Sequence, residues 1–197
     1  MTRLRWLGGV AAVLATLLVG QALLRTAPSA GDDTAVFLVG GRSFRPVVVG
    51  GLAVTVLGIR GAATVRRPDG EVLDTGGVWV IVKLELTATG QTTAVRYLAL
   101  ADRGGNTYRV SRRWQQAIAE GQPDLQPGLP IDGEVAFEVP RDVATQLSLR
   151  AGEHWSVAVG LRSRTVTDIA LPVERSEVDR WVADRDPAVL APPVVVL

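Results

Sequence analysis

The sequence predicts an all-β protein, an antiparallel β-sandwich preceded by one N-terminal transmembrane helix. Three observations lead to this fold class. Apolar and polar residues alternate with a period of two along 78–87, which is the pattern of a strand with one face in a core. Short strand-like stretches follow one another at about 10-residue spacing with turn residues between them, as in sandwiches. A charge-free apolar run occupies 6–24, close to the ~20 residues that a helix needs to cross a bilayer.

The composition excludes several classes of protein. The chain has 197 residues, a formal net charge of +1 and no cysteine. A near-neutral chain lacks the basic surface of nucleic-acid-binding proteins, so no nucleic-acid partner is expected. Without cysteine there is no disulfide, no thiolate zinc site and no lipid-bearing cysteine of a lipoprotein. Of the 21 basic residues only Lys83 is a lysine, a bias typical of GC-rich bacterial genomes.

The apolar run 6–24 indicates an uncleaved signal-anchor. Arg3 and Arg5 precede it, so the positive-inside rule places residues 1–5 in the cytoplasm and the rest of the chain outside. A cleavable signal peptide is the alternative, with Gly20-Gln21-Ala22 as its cleavage site. The expected location is therefore the cell membrane with an extracytoplasmic domain, or secretion if the segment is removed.

The remaining chain divides into a linker at 25–45, a β-sandwich domain at 46–173 and a C-terminal tail at 174–197. The linker begins with the small and polar residues of a flexible tether. An apolar run at 35–39 is either an extra edge strand or part of this linker.

Strands are expected throughout the sandwich domain, and two short helices are expected beside them. The strand predictions are 52–59, 78–87, 92–100, 131–139, 145–149, 155–161 and 166–173, with a hairpin turn at 101–108. The first helix is predicted at 111–120, behind a serine that can act as N-cap. The second is predicted at 176–182, where Ser176 and Asp179 form a capping-box-like pair.

Three segments together resemble one known group of domains. They are the strand 77–87, the hairpin with Asp102, Gly105 and Tyr108, and the stretch from Pro127-Gly128 to Phe137-x-Val139-Pro140. In order and spacing, over about residues 50–162, they resemble the bacterial telokin-like, immunoglobulin-like extracellular domains of unknown function, found in Gram-positive lipoproteins and actinobacterial secreted antigens. The chain departs from that group in Ala88-Thr89-Gly90, which replaces the usual Asn, and in its missing lipobox cysteine. The resemblance implies an immunoglobulin-like sandwich that serves as an exported accessory or recognition domain, without established catalytic residues.

No catalytic, cofactor-binding or metal-binding residue is expected. His154 is the only histidine, and no Gly-x-Ser-x-Gly elbow accompanies it, so it is predicted to be a surface residue. Glu134 and Glu138 lie four apart on one strand, roughly 13 Å from each other, which is too far for the carboxylate pair of a glycosidase, so both are predicted to be solvated. Asp102 and Asn106 lack the twelve-residue spacing of a calcium loop and are typical of a hairpin turn.

Trp79, Ile81 and Trp114 are the candidate partner-binding residues. Trp79 and Ile81 lie on the predicted solvent face of the central strand, and Trp114 lies in the long connection. They form either an exposed apolar patch or a cluster covered by 111–120 or by 176–184. The predicted function is a membrane-tethered, extracytoplasmic, non-enzymatic binding or assembly module, for example an accessory subunit of a cell-envelope complex with a protein partner there. The alternative is an exported carrier or enzyme accessory that holds a small apolar or cell-wall ligand.

Overall fold

Eleven strands and one helix occur in residues 36–118, 124–153 and 165–196, the part of the chain that the computed structural model describes. The strands are β1 (Phe37–Arg42), β2 (Val47–Val49), β3 (Leu52–Arg66), β4 (Val72–Ala88), β5 (Tyr97–Asp102), β6 (Thr107–Arg109), β7 (Ile131–Val139), β8 (Leu147–Gly152), β9 (Thr165–Ala170), β10 (Ala188–Val189) and β11 (Val194–Val195), and the helix is α1 (Arg175–Ala183). All of them belong to Val36–Leu197, which forms one compact unit.

The strands form two sheets that share one core. The five-stranded sheet has the order β1-β9-β8-β5-β6, and the six-stranded sheet has the order β10-β3-β4-β7-β11, with β2 paired to β3 beside that path. Val80 and Phe137 of the six-stranded sheet belong to the same fully buried cluster as Leu100 and Leu149 of the five-stranded sheet. The unit is therefore a β-rich sandwich.

The predicted fold class is wrong as stated. β1 pairs with β9 in parallel, with Phe37 opposite Thr165, and β10 also pairs with β3 in parallel. The sheets are therefore mixed rather than antiparallel, a difference that a period-two pattern cannot report because it carries no information about strand direction. In the described residues no helix has the length and apolarity to cross a bilayer. The run 6–24, on which the transmembrane helix was predicted, lies outside those residues.

The central strand β4 contains the predicted stretch 78–87 and confirms that it is extended. It runs antiparallel between β3 and β7, with Val80 in register with both Gly61 and Phe137. The alternate side chains on its inner face are all 0% exposed, and they are Val78, Val80, Val82, Leu84 and Leu86. Each removes apolar surface from water, so this face supplies much of the hydrophobic stabilisation of the sandwich.

The apolar run at 35–39 continues into an edge strand, β1, within the stretch that was assigned to the linker. β1 lies at the end of the five-stranded sheet, next to β9. A Cβ at Gly41 would lie 2.2 Å from the Val47 side chain, so the glycine is what allows β1 to approach β2 closely. The prediction for 155–161 lies outside the described residues, and the strand expected from residue 92 begins only at Tyr97.

The predicted helix 111–120 is wrong over its described residues, 111–118, which contain only turns and bends. The Gln116 side chain explains the difference, because it is buried and pairs with the backbone of β7. Its Nε2 donates to the Ala136 carbonyl (3.1 Å) and to the Ser111 carbonyl (2.9 Å), while its Oε1 accepts from the Ala136 N–H (2.8 Å). These bonds satisfy the backbone N–H and C=O groups of Ala136 on the edge of β7. They also hold segment 111–118 in a non-helical conformation.

α1 confirms the predicted helix at 176–182 but begins with a different cap. The Glu174 N–H donates to the Glu177 carboxylate (2.9 Å), as in a capping box, so the expected pair Ser176 and Asp179 does not form the cap. Val178 of α1 is buried in the shared core. The Trp181 ring lies over Gly61 of β3, where a Cβ would come within 2.3 Å of a ring carbon. Gly61 therefore makes room for the helix on the inner side of the sheet.

Candidate binding surfaces

The structure brings Trp79, Ile81 and Trp114 together and buries all three. Trp79 and Ile81 are 0% exposed and Trp114 is 8% exposed. The two indole rings meet edge to face, with centroids 5.5 Å apart and planes inclined by 61°, a favourable aromatic geometry. Of the two expected arrangements, the covered one is therefore observed. Segment 111–118 supplies the cover through Trp114, whereas α1 packs on the inner side.

These residues belong to a second apolar cluster, on the face of the six-stranded sheet that points away from the shared core. We call it the outer cluster, and its members are Val65, Leu73, Trp79, Ile81, Trp114 and Ala136, with Ala188 and Leu190 packed against them. The Arg113 guanidinium lies 5.7 Å from the centre of the Trp79 ring, within cation–π range. It also meets the Glu138 carboxylate at 3.5 Å and donates to the Asp74 carbonyl. Glu138, predicted to be solvated, thus helps to position the cover.

The C-terminal residues 188–196 complete the cover, and we call them the strap. The strap begins beside β3, where β10 pairs with Val65 and Arg66, and ends beside β7, where β11 pairs with Ile131 and Asp132. Between these pairings it crosses the outer face. The tail predicted at 174–197 therefore contributes two strands as well as the helix.

Arg60 and Glu134 form the ion pair that holds the middle of the strap. Two guanidinium nitrogens of Arg60 donate to the two carboxylate oxygens of Glu134, at 3.0 and 2.7 Å. Arg60 also donates to the Val189 carbonyl (2.8 Å), and Glu134 accepts from the Ala191 N–H (2.8 Å). Burial alone would raise the pKa of Glu134, but the hydrogen bonds from Arg60 and Ala191 and the charges of Arg60 and Lys83 hold that pKa below its usual value. Each of the two charged side chains thus makes one hydrogen bond to the backbone of the strap.

A groove of about 380 Å³ lies beside the strap. Lys83 and Asp132 form its polar wall, with the Lys83 Nζ 3.4 Å from Asp132 Oδ2, and residues 191–196 supply most of its apolar wall. The other oxygen, Asp132 Oδ1, is buried without a hydrogen-bond partner. The volume lies within the range of small-ligand sites, but one wall belongs to the strap itself.

A different surface is apolar and exposed, and we call it the exposed edge. It consists of the large side chains of β1 and of the turn and strand after it, namely Phe37 (68% exposed), Leu38 (47%), Phe44 (64%) and Val48 (52%). Phe44 has a positive φ of 65°, which residues other than glycine rarely adopt. Its N–H donates to the Val56 carbonyl (2.9 Å), and the neighbouring Ser43 hydroxyl donates to the Ala170 carbonyl (3.0 Å). The turn is thus anchored to both sheets while the ring of Phe44 stays in solvent.

The sequence pattern does not predict the exposed edge as a surface, although the apolar run at 35–39 suggests an edge strand. Phe44 carried no signal, because its exposure depends on the turn conformation. The Arg60–Glu134 pair was not predicted for a related reason. Arg60 lies in β3 and Glu134 in β7, and only the pairing of both strands with β4 brings them together. His154 lies outside the described residues.

The remaining candidates have structural partners. Asp102 accepts from the Asn106 side chain (2.8 Å), the Tyr108 hydroxyl (2.9 Å) and the Asn106 N–H (2.9 Å). The Asn106 amide above all, together with these other donors, lowers the pKa of the Asp102 carboxyl. The carboxylate is therefore engaged in closing the hairpin between β5 and β6. No group of acidic or histidine side chains suited to a metal ion occurs in the described ranges.

Comparison with known proteins gives no relative. No protein-family model, no curated protein and no solved structure matches the chain. The resemblance to telokin-like extracellular domains therefore stays a prediction.

Proposed function

We propose that this chain is a non-enzymatic binding or assembly module that acts outside the cytoplasm, and that the exposed edge is its contact surface. The single observation that supports the proposal most strongly is the exposure of Phe37 and Phe44, at 68% and 64%. Aromatic side chains are enriched in protein interfaces, and these two, one at the start of β1 and one in the turn after it, leave apolar surface in water unless a partner covers it.

The backbone of β1 supports the same proposal. In the described part of the chain β1 pairs only with β9, so its other side offers unpaired N–H and C=O groups. Natural proteins usually protect such an edge with charges, proline or a covering loop. Here the residues from Phe37 to Gly41 include no charge, and the first arginine comes at the end of the strand, at Arg42.

The partner we propose is a protein of the cell envelope that adds an extended segment to β1. Strand addition of this kind obtains affinity from main-chain hydrogen bonds and specificity from alternate side chains. The Phe37 and Leu38 side chains would contact such a segment, and Phe44 would flank it. An immunoglobulin-like recognition domain, as the resemblance implies, would be a suitable framework for this contact.

Single cysteines provide a selective test of the contact, because the chain has none of its own. Gly40→Cys places a thiol on β1 at a position where a Cβ meets no atom within 4 Å. A maleimide-linked photocrosslinker at this site should give a discrete adduct with one protein in cells that express the chain. Gly76→Cys is the matched control, because its Cβ also meets nothing within 4 Å and it lies in β4.

The outcome that would contradict the contact is an adduct pattern that is identical for the two cysteines, or no adduct from Gly40→Cys. Mass spectrometry of the adduct identifies the partner and its crosslinked peptide. An extended segment of the partner is expected at the crosslink, because only an extended segment can pair with β1 over its length.

The location is tested separately. Gly90→Cys lies in an exposed turn with open space around it, so a membrane-impermeant maleimide should label it in intact cells. Labelling only after cell lysis would show that the domain is inside and would remove envelope proteins as partners.

A further inference from the structure

The strap is held over the outer face mainly by its backbone. Its two strand pairings are two residues long each, and its other anchors are the main-chain bonds to Arg60 and Glu134 and the bond from the Val196 N–H to the Pro130 carbonyl (2.9 Å). Its side chains contribute little, since every residue from 191 to 196 is exposed. Ala188 and Leu190 are the strap residues that pack against the outer cluster.

Two polar atoms on the covered face are buried without a hydrogen-bond partner. They are Trp79 Nε1, a donor on a residue that is 0% exposed, and Asp132 Oδ1, an acceptor. Buried polar atoms in native proteins are nearly always paired. Trp79 lies in the cluster that Leu190 covers, and Asp132 lies opposite Val194. Beneath the strap, the Trp79 N–H donor thus lacks a partner in the cluster that Leu190 packs against, and the Asp132 acceptor lacks one opposite Val194.

We propose that this face is a docking groove for an extended polypeptide segment of a partner, and that the strap occupies it as an internal placeholder. The contact is separate from the exposed edge and does not depend on it. The strap itself defines what fits: an extended backbone that crosses the sheet and pairs with β7, and a leucine-like side chain against the outer cluster. The partner segment differs from the strap in one respect, because it carries a cationic side chain at the position of Val194, where it reaches Asp132 Oδ1.

The strap can leave without disturbing the rest of the sandwich. α1 ends at Ala183 and β10 begins at Ala188, so residues 184–187 connect two elements that are anchored independently. Val178 and Trp181 hold α1 to the shared core and β3, whereas the strap lies on the opposite face. A competing segment that adds one charge-assisted bond at Asp132 therefore has an advantage over the strap, and the strap keeps the outer cluster covered when no partner is present.

Binding of a synthetic peptide with the sequence of residues 186–197 to the full chain provides the test, measured by fluorescence anisotropy. The wild-type chain should bind weakly, because its own strap fills the groove and lowers the apparent affinity. The variant Leu190→Asp places a charge against the outer cluster and should release the strap, so the peptide should bind about tenfold tighter or more. A second peptide that contains Val194→Lys should bind the same variant a further roughly tenfold tighter, through Asp132.

Val189→Asp in the full chain is the matched control. It introduces the same charge one residue away, but the Val189 side chain is 62% exposed, so the strap should stay in place and peptide binding should equal that of the wild type. Ala191→Pro is a second releasing variant without added charge, because it removes the N–H that Glu134 accepts and restricts the backbone of Leu190. It should increase peptide binding as Leu190→Asp does, and it keeps the test decisive if Leu190→Asp does not fold.

Equal, weak binding by the wild type and by both releasing variants would overturn the proposal. Equal affinity of the two peptides for a releasing variant would overturn the assigned cationic partner. If the wild-type chain instead forms dimers that Leu190→Asp abolishes, and Val194→Lys gives no gain, the groove serves strap exchange between copies and the proposed partner is wrong.

Discussion

Both faces of β4 contain fully buried side chains, Leu84 on the inner face and Ile81 on the outer face, but the two faces are covered in different ways. The inner face packs against a second sheet and α1, whose side chains are positioned by regular backbone pairing. The outer face is closed by irregular segment 111–118 and by the strap. Regular packing leaves little freedom to adjust, whereas an irregular cover can move toward a space that opens beneath it. Equal burial therefore does not imply equal contribution to stability, and the difference between the faces can be measured.

The largest expected effects come from a matched pair, Leu84→Ala and Ile81→Ala. The two residues have isomeric side chains, are both 0% exposed and lie on opposite faces of β4. Leu84→Ala should lower the free energy of unfolding by about 4 kcal/mol, because the rigid inner face retains the cavity. Ile81→Ala should lower it by about 2 kcal/mol, because the strap and segment 111–118 can collapse onto the smaller side chain. Urea denaturation of both variants measures the difference, and equal losses would show that the two covers are equally rigid.

A medium effect is expected from Glu134→Gln, which removes the charge that holds the strap. Arg60 is 40% exposed and its partner 10%, so solvent screens the pair and the loss at neutral pH should be about 1 kcal/mol. Hydrogen exchange should localise the loss to the outer face, with faster exchange at Ala191 and unchanged exchange in β5 and β8. Uniformly faster exchange would mean that the pair supports the whole sandwich.

The same variant tests the pH dependence. The pKa of Glu134 is lower in the folded chain than in the unfolded chain, so its contribution is present above the unfolded value of about 4.3 and is lost as the pH falls through the folded value. Between about pH 6 and pH 3, the range in which carboxyl groups titrate, the wild type should therefore lose more stability than Glu134→Gln. Asp102 also has a lowered pKa, so the variant should keep part of the acid sensitivity.

The smallest effect is expected at the exposed edge. Phe37→Ser should change the free energy of unfolding by less than about 0.5 kcal/mol, because the side chain is 68% exposed and loses little packing. It should nevertheless weaken crosslinking from Gly40→Cys. Val72→Ser is the control, because Val72 is also exposed, at 42%, but lies in β4. A large stability loss from Phe37→Ser alone would assign the edge a structural role.

The inner face of β4 was predictable from sequence, whereas the cover of its outer face could be predicted only as one of two alternatives, for a physical reason. Alternation along β4 and β7 follows from local backbone geometry. The start of α1 also follows from local sequence, although Glu174 rather than Ser176 is its cap. Chain segments far apart in sequence determine the rest. The parallel pairing of β1 with β9 joins Phe37 to Thr165. Trp114 meets Trp79, and Leu190 packs against the outer cluster. The helix predicted at 111–120 failed because Gln116 bonds to β7 rather than to its own turn.

The Gln116 side chain has a consequence for solubility. One side-chain amide takes the place of a neighbouring strand beside Ala136. A change in the Gln116 rotamer would therefore leave the Ala136 N–H on the edge of β7 without its hydrogen-bond partner. Loss of that amide would free the Ala136 N–H, in the middle of a strand rich in valine and phenylalanine, to recruit another molecule. One uncharged polar residue thus keeps the Ala136 N–H of β7 from pairing with another molecule.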